Sequence, residues 1–112
     1  MHSYSIFLIL KMAKTLFYTV RQPGLSRLSL QDGPNWNALC YQDIRAYTLT
    51  SSDLLILCHS QFLVTLLGPN LRQLYLSLLV EEVYEIPIHT GPIPPQECAV
   101  TQIFFERLPQ DD

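Results

Sequence analysis

DIRAYTLTSSDLLILCHSQFLVTLLGPNLRQLYLSLLVEEVYE, residues 43–85, is the stretch that decides the fold. Ile44–Leu49, Leu54–Cys58 and Phe62–Leu67 are apolar or β-branched runs, and polar residues separate them. Runs of this length and composition, bounded by turn residues, read as strands. Thr50-Ser51-Ser52-Asp53 forms one polar turn and His59-Ser60-Gln61 a short hairpin loop, so the three runs are expected to form an antiparallel meander at about 44–67. Leu54–Cys58 is apolar at every position and Phe62–Leu67 nearly so. Strands without a polar face are expected to be covered on both sides.

Gly68-Pro69-Asn70 breaks the strand pattern, and helical spacing follows: Leu71, Leu74, Tyr75, Leu78 and Leu79 recur at steps of three and four. Asn70 is expected to cap a helix running over about 70–85, which Pro87 would stop. Glu81 and Glu82 in its last turn oppose the helix dipole.

Working outward, Leu16–Arg21 reads as a strand, Gln22-Pro23-Gly24 as a turn, and Leu28-Ser29-Leu30 as a short edge strand. Asp32-Gly33-Pro34-Asn35 is a second turn. Trp36–Gln42 fits either another strand or a loop in which Trp36 packs over the sheet. Residues 87–97 (PIHTGPIPPQE) contain four of the eight prolines and read as an extended connector. Cys98–Arg107 regains strand character and is expected to return to the sheet at about 98–107. The fold class is therefore α+β: one antiparallel sheet of four to six strands with one main helix packed on it.

The expected organisation is a loosely held or start-site extension at 1–11, a single domain at 12–108 and a polar tail at 109–112. The apolar run Ile6–Leu10 is too short for a signal-peptide core or a membrane span, and no Lys or Arg precedes it. Apolar residues make up 48% of the 112-residue chain and charged residues 15%, against about 25% charged in an ordinary domain. Small domains bury a smaller fraction of their surface. The apolar surplus therefore points to a protein partner or a homo-oligomer. Net charge is −3 and the seven basic residues are scattered, which argues against nucleic acid. Three widely spaced cysteines fit a reducing, cytoplasmic setting, each as a small buried hydrophobe.

Chemistry-bearing patterns are sparse. No glycine-rich phosphate loop and no CxxC or HExxH spacing occurs. Cys58-His59, with His89 and Cys98, is the one conceivable metal or Cys–His set, and strand alternation would send Cys58 and His59 to opposite faces. Cys58 is expected in the core and His59 on a turn. Glu81 and Glu85 lie one helical turn apart, Arg72 lies on the helix's first turn, and Pro92–Pro95 carries a PxxP spacing. A solvated charge pair, a surface arginine and a rigid connector account for these. No catalytic residue, cofactor or metal site is expected. The function expected is a non-enzymatic, self-associating interaction or assembly module. The alternative is an apolar-ligand binder with a pocket between sheet and helix. Leu55, Leu57, Leu63, Tyr75 and Trp36 are the expected interface or pocket residues.

Overall fold

The computed structural model describes residues 17–110. The extension expected at 1–11 lies outside them, as do Leu16 and the last two tail residues. The elements, in chain order, are β1 (Thr19–Val20), β2 (Arg27–Asp32), β3 (Asn35–Cys40), a 3₁₀ turn (Tyr41–Asp43), β4 (Ile44–Ser51), β5 (Leu54–His59), β6 (Phe62–Leu67), α1 (Arg72–Leu79), β7 (Val83–Ile86) and β8 (Gln102–Arg107). The α+β class, the meander and the returning C-terminal strand are all present. The strands divide between two four-stranded sheets, β1-β7-β2-β3 and β4-β5-β6-β8. All pairings are antiparallel except β2 with β7.

One core joins both layers. Leu28, Leu30 and Leu39 from the first sheet meet Leu55, Leu57, Val64, Leu66 and Ile103 from the second, with Leu71, Leu74 and Leu78 of α1 closing the cluster. Burying such side chains contributes about 1.5–3 kcal/mol each relative to exposure.

Several expectations need correction. Leu28-Ser29-Leu30 is an inner strand, between β7 and β3. The β1 strand is only two residues long. Trp36–Gln42 resolves into most of β3 and the 3₁₀ turn. The β2–β3 hairpin closes through Gly33 at φ +58°, as a primed two-residue turn requires, and Asn37 Nδ2 donates to Asp32 Oδ2 beside it (3.0 Å).

The helix is shorter than its apolar spacing suggests. Glu81 stands at φ +58°, its N–H donates to Leu78 O (3.0 Å), and the Glu82 N–H donates to Ser77 O (3.3 Å). This is the Schellman arrangement, with Glu81 in the left-handed position that glycine usually fills. Val83–Ile86 then leaves the helix to pair with β1 and β2. Cross-strand burial of Val83 and Ile86 outweighs their weak helix preference. Nor does Asn70 cap α1: it has φ +58°, and its Nδ2 donates to Glu97 O (2.9 Å), tying the connector to the start of the helix.

The connector is well anchored. His89 N–H donates to Val100 O, Ala99 N–H to Pro69 O and Thr101 N–H to Leu67 O. The crossing is so close at Gly68 that a β-carbon there would overlap the Ala99 carbonyl.

Candidate functional site

The second sheet turns side chains to alternate faces. On β5, Leu55, Leu57 and His59 are buried, while Leu54, Ile56 and Cys58 are half-buried. On β6, Val64 and Leu66 are buried, while Leu63, Thr65 and Leu67 are half-buried. Within the single chain, one side of these strands faces the core and the other, half-buried, faces outward.

Strand register arranges the outer side chains in three rows. Ala46, Cys58, Leu63 and Glu106 form the first; Thr48, Ile56, Thr65 and Phe104 the second; Ser51, Leu54, Leu67 and Gln102 the third. The two central columns are almost wholly apolar, and Phe104 at one edge is 54% exposed. With strands ~4.8 Å apart and residues ~3.3 Å apart along each strand, the whole four-strand face measures on the order of 400 Å², and its two apolar central columns about half of that.

Two charges border it from opposite sides. The β4–β5 register shifts between Ile44 and Ala46, and the extra residue, Arg45, is exposed at the β4 edge of the first row. Glu106 closes the same row at the β8 edge.

The outer face of the first sheet differs in chemistry. Arg27, Ser29 and Gln31 on β2 stand opposite Cys40, Ala38 and Trp36 on β3. On β7 the register shift leaves Tyr84 as the unmatched residue between Val83 and Glu85. The bulge turns Tyr84 outward, where the Arg21 guanidinium lies 4.2 Å from its ring centroid.

The residues expected to line an interface or pocket separate on this framework. Leu55 and Leu57 are fully buried in the core. Tyr75 packs half-buried against the core, and Trp36 lies 47% exposed on the first sheet. Only Leu63 belongs to the apolar outer face. The other members of that face, Leu54, Ile56, Cys58, Leu67 and Phe104, went unselected. Counting alternate positions from any one buried residue would have found those on β5 and β6.

The thiol and imidazole groups do not converge. Cys58 faces outward and His59 inward, the reverse of the expected placement. The Gln61 N–H donates to His59 Nδ1 (3.0 Å), which gives this ring a structural task in the β5–β6 turn. His89 lies edge-on to Phe17 at 4.6 Å, and its Nε2 is 3.1 Å from Pro92 O. Cys40 and Cys58 are half-buried and only Cys98 is fully buried; burial pushes the Cys98 thiol up to about 11. Among the described residues no three His, Cys, Asp or Glu side chains cluster as metal ligands.

Burial also holds tyrosine hydroxyls neutral. Tyr18 and Tyr47 are each pushed up to about 12, mainly by desolvation. Tyr41 is raised for the same reason and donates to Val83 O (2.7 Å). The Tyr18 hydroxyl is buried without a hydrogen-bond partner among the described residues. These groups sit in the packing between sheets and helix.

A shallow concavity of about 410 Å³ lies between Arg27, Cys40, Gln42 and Glu81, and a second of about 340 Å³ lies between Arg27, Ser29 and Tyr84. None of the residues expected to form an apolar pocket lines either one. No described helix is long and apolar enough to cross a membrane. Compared with known proteins, the chain matches no family model, no curated protein and no solved structure.

Proposed function

We propose that this domain is a non-enzymatic assembly module that self-associates through the outer face of its second sheet. The observation that carries the reading is the patch of Leu54, Ile56, Cys58, Leu63, Leu67 and Phe104, all on one face and all with exposed surface. Removing this area from water at ~25 cal/mol per Å² supplies a driving force, while losses of rigid-body freedom offset much of it. The whole face, about 400 Å², is half the usual ~800 Å² per partner, so the association is weak.

The apolar-ligand reading has less support. Leu55 and Leu57 have no exposed surface, and both concavities are shallow, of mixed lining, and away from the residues expected to form a pocket.

The test is the solution mass of the full chain by light scattering across a concentration series. Mass rising toward that of a dimer supports the module, and Leu63→Ser or Phe104→Ser should suppress the rise while leaving the fold intact. A constant monomer mass up to about 500 μM would end the proposal.

A further inference from the structure

The face described above specifies how two copies meet. We infer that a second copy packs face to face on the β4-β5-β6-β8 sheet about a two-fold axis parallel to the strands, with Arg45 of each copy against Glu106 of the other. This rests on the self-association just proposed and names its geometry.

Two opposite charges stand at opposite edges of this face. Glu106 ends the first row at the β8 edge, and the exposed bulge residue Arg45 adjoins Ala46 at the β4 edge of the same four-stranded sheet. Three inter-strand steps separate those edges by about 14 Å, and the sheet between them is apolar.

A two-fold axis along the strands keeps each row and reverses the strand order. The β4 edge of one copy then lies over the β8 edge of the other, which brings Arg45 over Glu106 twice. The same operation sets Cys58 over Leu63, Leu54 over Leu67, and Ile56 over Thr65 between the two copies. Aligned sheet packing at about 30° and ~10 Å separation accommodates this arrangement.

The competing axis, across the strands, exchanges the first and third rows. It places Arg45 near Ser51 and Glu106 near Gln102, so neither charge finds its complement. Unpaired charges at an interface oppose association, and complementary ones fix its register. Charge therefore selects the first axis, while the apolar columns are compatible with both.

The experiment is charge reversal, read by light scattering of the full chain at low salt. Arg45→Glu and Glu106→Arg should each weaken association by about tenfold, because each breaks two pairs and creates two repulsions. The double variant carrying both reversals should recover to within about threefold of the wild type. Both positions are exposed, so thermal unfolding should change little and serves as the control for folding.

A thiol cross-link gives a second, independent reading. The inferred axis keeps the two Cys58 residues in one row, with α-carbons about 11 Å apart, against about 17 Å for the competing axis. In a Cys40→Ser background, a bismaleimide spanning about 8 Å should trap a Cys58-linked dimer. Single reversals that leave association unchanged, or a double variant as weak as the singles, would overturn this geometry and leave the interaction surface standing. A monomeric wild type would overturn both.

Discussion

On β2 of the first sheet, Leu28 and Leu30 point into the core and Arg27, Ser29 and Gln31 point out. On β5 of the second sheet, Leu55 and Leu57 point in and Leu54, Ile56 and Cys58 point out. The inward halves are interchangeable in chemistry, and the outward halves are not. An antiparallel sheet with one solvated face normally alternates apolar with polar. Strand β2 follows that rule and β5 departs from it. Core packing does not require the apolar residues on the outer side of the second sheet, so they report on what that side meets.

The sharpest way to break this comparison is to truncate neighbours of opposite facing. Leu57→Ala removes a fully buried side chain and should cost about 2–5 kcal/mol in chemical denaturation of the monomer. Ile56→Ala, one residue earlier, should cost under about 1.5 kcal/mol and lower self-association instead. Equal costs would mean that both faces are core.

Gly68→Ala should be nearly as damaging as the first change, at about 3 kcal/mol, because the added carbon meets the Ala99 carbonyl where the connector crosses the end of β6. The seam tests whether the connector is built into the second sheet. Unchanged stability would show that the backbone yields there.

A third comparison joins two buried tyrosines. Tyr41→Phe deletes the hydrogen bond to Val83 O and should cost about 1–3 kcal/mol. Tyr18→Phe removes a buried hydroxyl that lies near the Ser77 and Gln73 side chains without a well-formed hydrogen bond among the described residues, and should cost less, under about 1 kcal/mol. The same groups set an alkaline limit. Tyr18 and Tyr47 rise from 10.0 to about 12 and Cys98 from 9.0 to about 11 on folding. Between those values the unfolded chain loses protons that the folded chain keeps. Stability should therefore be level below about pH 9 and fall progressively from pH 9 to 12, as denaturant midpoints would show.

A small gain is expected at the end of α1. Glu81→Gly should stabilise the fold by about 1 kcal/mol, since glycine adopts φ +58° without the strain a side chain brings. A loss of stability would mean that the Glu81 side chain contributes more than its backbone strain costs.

These residues also explain how far the chain could be read unaided. The meander, the α1 stripe and the returning strand were legible because each is local: apolar runs and turn residues are adjacent in sequence. The end of α1 was not, because Glu81 occupies a position that glycine usually marks. Nor was β7, whose pairing with β2 joins segments 56 residues apart and rests on burial that only the assembled sheet provides. The inner position of β2 was hidden for the same reason. In the candidate site, Leu63 was selected and Leu54, Ile56 and Cys58 were not. Continuous apolar runs conceal the period of two, so composition drew attention to the strand but not to the side of it.

Cys40 and Cys58 make the decisive measurement possible, since one half-buried thiol lies on the outer face of each sheet. Their rates of labelling by a small maleimide, followed by mass spectrometry in the full chain from about 1 to 500 μM, compare the two faces in one experiment. The account predicts that labelling of Cys58 slows several-fold as concentration rises while that of Cys40 stays constant. Rates at both thiols that are independent of concentration would contradict it.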